Sequence, residues 1–250
     1  MAAIADLDSY NSGMQKSMQD KLWFLDFIGD DVSTIYDYGC ADGTLLKLVK
    51  DRCENVKSVI GYDNNPGMLV KAARSGIPCS PFQMNSALPG QLTVVSSVLH
   101  EIHAYGTDDD IMDDYRHIFE IGSEYIAIRD MFYSSDMPMV ARSPDWFKVY
   151  HNSDQKRLEE FEKLYGPISL NKNMLHWFLK YRYVSNWDRE LYENYLFESF
   201  EDFLHKIPDQ YECVYCCLYT LPYLKETVLK DFGVVLKYPT HGKILLKMRH

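Results

Sequence analysis

Short apolar runs and amphipathic stretches alternate along the first half of the chain. From Met14 to Ile28, "MQKSMQDKLWFLDFI" sets Met14, Met18, Leu22, Leu25 and Phe27 or Ile28 near helical spacing and predicts an amphipathic first helix. "VSTIYDYG" then reads as a short β-rich run closed by glycine, and "DGTLLKLVKDRC" as a helix carrying apolar Leu45, Leu46, Leu48 and Val49. "KSVIGYD" is a second strand of the buried type. "NNPGMLVKAARSG" is a second helix, opened by Asn64 or Asn65 with Pro66 in its first turn. After a third strand region in "IPCSPFQMNSAL" come an apolar strand in "LTVVSSVLHEI", a helix in "DDDIMDDYRHIFEIG" whose leading acids suit the helix dipole, and a strand in "EYIAIRDM". Strands that alternate with helices imply right-handed βαβ units and a parallel sheet covered on both faces.

The rhythm breaks after Met131. Residues 132–208 hold aromatic-rich, helix-compatible stretches such as "DQKRLEEFEKLYG" and "NMLHWFLKYRYVSNWDRELYENYLFESFEDFLHK", which predict a helical insertion acting as a lid or substrate subdomain. The core pattern returns in the tail, with "LPYLKETVLKDFG" as a helix, "VVLKY" as a strand, "PTHG" as a turn and "KILLKMRH" as a last strand. The expected fold class is α/β. It is a doubly wound, mostly parallel seven-stranded sheet with a terminal antiparallel hairpin and a helical insertion after the fifth strand, all within one domain over 1–250. No repeat or low-complexity linker marks a second one.

Composition narrows the partners. With 250 residues, 46% of them hydrophobic, the chain can bury one substantial core. A formal charge of −10 argues against broad affinity for nucleic acid or an anionic membrane surface and suits small or cationic ligands better. No apolar run approaches the roughly 18 to 20 residues of a membrane span, and the opening "MAAIADLDSYNSG" is acidic where a signal peptide would be basic. These features read as a cytoplasmic protein. Of the six cysteines, "CVYCC" at Cys213, Cys216 and Cys217 has a C-x-x-C spacing without the second Cys/His pair that structural zinc needs. No metal is expected, and the thiols read as reduced and mostly buried.

Gly39, Ala41 and Gly43 lie between the first strand and its helix, where glycines let a backbone approach a ligand at the carboxyl ends of the strands. The third glycine of a dinucleotide fingerprint is absent, as is the Gly-Lys-Ser/Thr of a phosphate loop, so a plain tight turn stays open on this stretch alone. Asp63 adds a second nucleoside feature. It ends the next strand, 20 residues after Gly43, where a carboxylate can accept hydrogen bonds from two ribose hydroxyls.

With these motifs in order, the chain resembles the class I S-adenosylmethionine-dependent methyltransferases. "YDYGCADGTLL" is similar to their first motif, "VIGYDNNPGML" to the second, "TVVSSVLHEI" to the fourth and "YIAIRDM" to their fifth strand. The resemblance covers Ser33 to Met131 and Leu221 to His250. It implies S-adenosyl-L-methionine as cofactor, with Asp37, Gly39, Cys40, Ala41 and Gly43 around its methionine half and Ser97 nearby. Asp63 would hold the ribose, Asn64 and Met68 would flank the adenine, and Asn85 with Ser86 would reach the adenine edge. Asn85 stands where many members have Asp, and an amide oxygen can still accept the bond.

Methyl transfer is an in-line displacement, so a base is needed only if the acceptor carries a proton. "SVLHEIHAYG" offers His100, Glu101 and His103 after the fourth strand as candidates, although "LHEI" also suits a plain helix start. Arg129 and Asp130 read first as structural. In the insertion, Lys172, Lys180, Arg182 and Arg189 interleave with Trp177, Tyr181, Tyr183, Trp187 and Tyr195; such a pattern serves a nucleotide platform, but helix packing explains it better. The acceptor is left open among a small molecule, a nucleotide or RNA, and a protein side chain. A non-catalytic cofactor-binding or partner subunit would use the same fold. So would transfer of another group, and for a carboxymethyl group Arg129 is the nearest cation by sequence.

Overall fold

The computed structural model describes residues 18–249. One seven-stranded sheet runs β3-β2-β1-β4-β5-β7-β6. Its strands are β1 (Thr34–Tyr38), β2 (Ser58–Tyr62), β3 (Cys79–Ser80), β4 (Gln91–Ser96), β5 (Tyr125–Met131), β6 (Tyr211–Tyr219) and β7 (His241–Met248). The first five pair in parallel, and β7 runs antiparallel to both β5 and β6.

Every residue of β1, β4 and β5 is buried, as expected for central strands with helices on both faces. On one face Ile35, Leu92 and Val94 pack against Leu46 and Val49 of the helix Thr44–Arg52 and against Phe24. On the other, Tyr36, Val95, Ile126 and Ile128 meet Ile118 and Phe119 of the helix Asp108–Glu120. That helix starts where the sequence directs it: Thr107 and Asp110 form a reciprocal capping box. Asn65 caps the helix Pro66–Arg74 by accepting from the amides of Gly67 and Met68. The chain leaves β1 toward β2 on one side and returns to β4 on the other. Such a switch in strand order opens a crevice at the strand ends.

Between β5 and β6 lie the helices Ser143–Asn152, Gln155–Tyr165, Asn171–Lys180, Trp187–Glu190 and Phe200–His205. The first four share a third apolar cluster around Phe161, Trp177 and Phe178, completed by Val228 and Phe232 of the helix Pro222–Phe232, while Phe200 and Phe203 of the last join the cluster of Ile126 and Ile128. Trp177 and Trp187 are buried, so the aromatic stripe of this segment is core packing.

Three details differ from the sequence reading. The antiparallel pair at the C-terminal end is present, but its first strand is "YECVYCCLY" instead of "VVLKY", and the helix Pro222–Phe232 joins it to β7. As an edge strand β6 is largely exposed and bulged between Cys213 and Tyr215, which masks its alternation; Val234 to Tyr238 stay outside the sheet. Next, only Cys40 among the six free thiols is buried, and Cys213 and Cys216 are exposed on that edge. Finally, the first predicted helix begins outside the described residues, and its later part tightens into a 3₁₀ turn at Trp23–Asp26.

Candidate active site

A cleft of about 1160 Å³ opens beyond the carboxyl ends of β1, β2, β4 and β5, where Gly39, Asp63, Ser97 and Met131 line it. Pockets for one small ligand usually run to about 300–1000 Å³. This cleft lies just above that range.

At the β1 end the backbone is forced into unusual conformations. Gly39 has φ +84°, and a Cβ there would come within 2.7 Å of the Val98 side chain. Ala41, with φ +47°, adopts a left-handed conformation that side chains resist. Its amide donates to Asp63 Oδ2 at 2.8 Å, and the Asn65 amide donates to Oδ1 at 2.8 Å. One carboxylate thereby ties the β1 loop to the β2 loop, and its remaining lone pairs are available to a ligand in the cleft. Asn64 and Met68 line the cleft beside it.

Gly43 serves the fold instead. It opens the helix at φ +74°, and a Cβ there would press on Ile77 and Ala72 at 3.1–3.3 Å. Cys40 turns its thiol away from the main cleft toward Cys79.

Asn85 and Ser86 are exposed and lie outside the cleft lining. The Phe82 amide donates to Ser80 Oγ at 2.9 Å, a tight turn that swings Gln83 inward. Gln83 Nε2 donates to Tyr38 Oη at 2.6 Å and to Asp114 Oδ1 at 3.1 Å, and Tyr38 also donates to Asp114. Gln83 and Asp114 were missed because the turn geometry and the approach of the helix Asp108–Glu120 decide their place.

At the opposite end, Asp37 lies buried in a small adjoining pocket with Lys21 and Ser96. Burial pushes the Asp37 carboxyl up to about 7, against the pull of Lys21. Burial pulls the Lys21 ammonium down to about 8, and the Arg129 charge adds to that. Ser96 Oγ is buried and has no hydrogen-bond partner among the described residues. Such an orphan at a cleft wall is what a bound polar ligand would satisfy.

Beyond Ser97, which also takes a positive φ of 60°, the cleft changes character. His100 is fully buried; its Nδ1 and Asp130 Oδ1 are 2.7 Å apart, while Asp130 Oδ2 accepts from the Leu99 amide at 2.8 Å. Burial alone would lower the imidazole pKa, but the charge and hydrogen bond of Asp130 outweigh it and raise it. His100 lines the cleft. Glu101 and Glu193 flank it, each bound to Arg189, at 2.9 and 2.7 Å. Ligand atoms of His100, Glu101 and Glu193 lie within 4.8 Å of one another, a spacing a cation could use. The Arg189 guanidinium already sets a positive charge against both carboxylates.

His103 is turned elsewhere. It stacks on Phe197 at 4.4 Å and hydrogen-bonds the Tyr115 hydroxyl at 3.0 Å, one helical turn past His100. Arg129 and Asp130 do not pair with each other. Arg129 donates to Asp20 at 2.9–3.0 Å and to Ser97 Oγ at 2.7 Å, while Lys243 holds the other Asp20 oxygen at 2.6 Å. Asp130, read from the sequence as structural, instead holds His100; Lys21 and Glu193 were missed, since only folding brings them to the strand ends.

No protein-family model and no curated protein sequence matches the chain. Solved structures do match its fold. The methyltransferase domain of bacterial CtHen1-C aligns over 95% of this chain and 99% of its own at a TM-score of 0.52, with 10% identity. The plantazolicin methyltransferase BpumL, in complex with S-adenosylhomocysteine, aligns over 96% and 89% at 0.52, with 11% identity. The small RNA methyltransferase HEN1 aligns over all of this chain and 26% of its own at 0.50, with 12% identity. The chain has the fold of the class I methyltransferases.

Proposed function

We propose that the protein is an S-adenosylmethionine-dependent methyltransferase acting on an acceptor whose nucleophilic atom carries a proton. One juxtaposition carries this reading: a single cleft joins the Asp63-clamped loop of Gly39 and Ala41 to the buried His100–Asp130 pair. The cofactor, when bound, supplies an electrophilic sulfonium methyl.

The residues present fit that cofactor. Asp63 offers lone pairs for the ribose, and Gly39 leaves room for a close approach. Tyr38, Tyr62 and Gln83 line the adenine end, while Lys21 and the unpartnered Ser96 hydroxyl suit the carboxylate and amine of the methionine half. Asp130 holds His100 by its Nδ1, so Nε2 is the atom that takes the acceptor's proton. Arg189 keeps Glu101 and Glu193 in place beside it. Residues 132–208 form the acceptor-side subdomain of a single domain over 1–250, and this segment selects the acceptor. A small molecule, a nucleotide or RNA, and a protein side chain are the classes to test. Among the described residues no helix is long and apolar enough to cross a membrane, in keeping with a cytoplasmic enzyme.

Titration calorimetry with S-adenosylmethionine and S-adenosylhomocysteine tests the first half of the reading. Micromolar binding of both is expected; absence of binding would sink it. Methyl transfer to RNA, peptide and small-molecule pools, compared between the natural chain and His100→Gln, tests the second half.

A further inference from the structure

Directly behind the cofactor loop, Cys40 donates its thiol hydrogen to Cys79 Sγ across 3.4 Å. Cys40 belongs to the loop after β1, and Cys79 to the two-residue edge strand β3. Between them runs β2, where Gly61 is the residue that makes the contact possible. A Cβ at Gly61 would lie 2.5 Å from Cys40 Sγ and 2.7 Å from Cys79 Sγ. Cys213 also hydrogen-bonds Cys216, but on the exposed edge strand β6, and Cys79 is half-buried where Cys40 is enclosed.

We propose that Cys40 and Cys79 are a redox-active dithiol, oxidised by small-molecule disulfides, whose bond ties the cofactor loop to β3 and weakens cofactor binding. The effect on binding rests on the cofactor reading above; the pairing does not. The shared hydrogen bond divides the roles. It lowers the Cys79 thiol pKa and raises that of Cys40, so Cys79 is the attacking sulfur.

Its thiolate attacks one sulfur of glutathione disulfide, forming a mixed disulfide and releasing one glutathione. Cys40 then attacks Cys79 Sγ, and its proton leaves with the second glutathione. Two protein thiols become one disulfide, and one glutathione disulfide becomes two thiols. A disulfide needs sulfurs about 2.05 Å apart, so Cys40 must travel while the Tyr62 carbonyl still holds the Gly39 and Cys40 amides at 2.8 Å. The strained Ala41 and its bond to Asp63 take up the shift. Loss of an aligned cofactor contact follows.

The full chain is treated with excess glutathione disulfide, alkylated and mapped by peptide mass spectrometry, and titrated with S-adenosylhomocysteine before and after. A linked Cys40–Cys79 peptide is expected, with affinity weakened at least about tenfold and restored by dithiothreitol. The same loss is expected in a Cys213→Ser/Cys216→Ser chain, which lacks the exposed pair. Cys79→Ser should bind as the natural chain does when reduced and resist oxidation. Reaction of Cys213 and Cys216 without a Cys40–Cys79 link would overturn the pairing. A link that leaves affinity unchanged would overturn the switch alone. A reduced chain with no affinity would overturn the cofactor reading and the switch together, while the peptide map still judges the pairing.

Discussion

The two ends of the cleft are built by different means. At the cofactor end, backbone does most of the positioning: the amides of Ala41 and Asn65 grip Asp63, and Gly39 clears the space above Val98. The Asp63 contacts link consecutive turns of one βαβ unit, and Gly39 meets the turn after β4. At the acceptor end, side chains from distant segments meet. Arg189 reaches Glu101 across 88 residues, Tyr105 reaches Glu193 across the same separation, and Asp130 reaches His100 across 30. A backbone cradle tolerates changes of side chain around it, whereas a buried charge network depends on every member. The acceptor end is therefore the more fragile, and it is where specificity can diverge while the cofactor end stays constant.

That contrast can be broken most sharply at Arg189. Arg189→Ala leaves Glu101 and Glu193 facing each other without their cation and should cost about 3–5 kcal/mol of stability. Urea unfolding reads the loss, and a second substitution, Glu193→Gln, should recover part of it. A negligible effect would show that water already screens these carboxylates and that the network is not a buried unit.

His100→Gln tests chemistry with little demand on the fold. Turnover should fall by about a hundredfold or more, while affinity for S-adenosylhomocysteine stays level. Equal losses of both would place His100 in cofactor binding and erase the division between the ends. At the cofactor end, Asp63→Ala removes the acceptor of two backbone amides and, on the proposed reading, of the ribose hydroxyls, and calorimetry should show about tenfold weaker binding. Affinity equal to that of the natural chain would mean that the clamp is structural only.

The smallest effect concerns pH. Because Asp130 raises the His100 pKa above its ordinary 6.5, turnover should increase with pH through a midpoint above that value as the imidazole becomes a neutral base. Stability runs the other way: the His100–Asp130 ion pair contributes fully below 6.5 and is lost as pH rises through the raised value. Asp130→Asn should move the midpoint of the rate profile down, because the carboxylate that raises the imidazole is gone. An unmoved midpoint would assign the titration to another group.

What the sequence by itself determined is local. The alternation of apolar strands with amphipathic helices specified the parallel sheet, because each run of five to seven residues carries its own burial pattern and its own caps, such as Thr107 with Asp110 and Asn65 with Pro66. The glycine turn and Asp63 were legible for the same reason: their spacing along one βαβ unit is their spacing in space. Tertiary structure alone decided which side chains meet. It turned His103 away from the cleft and His100 toward Asp130, put Gln83 in the cleft wall and left Asn85 and Ser86 outside it, and made the edge strand from the cysteine-rich "YECVYCCLY". Those choices depend on one helical turn, one tight turn and one bulge. Each is a small displacement along the chain, and only the packing of distant segments converts it into a change of partner.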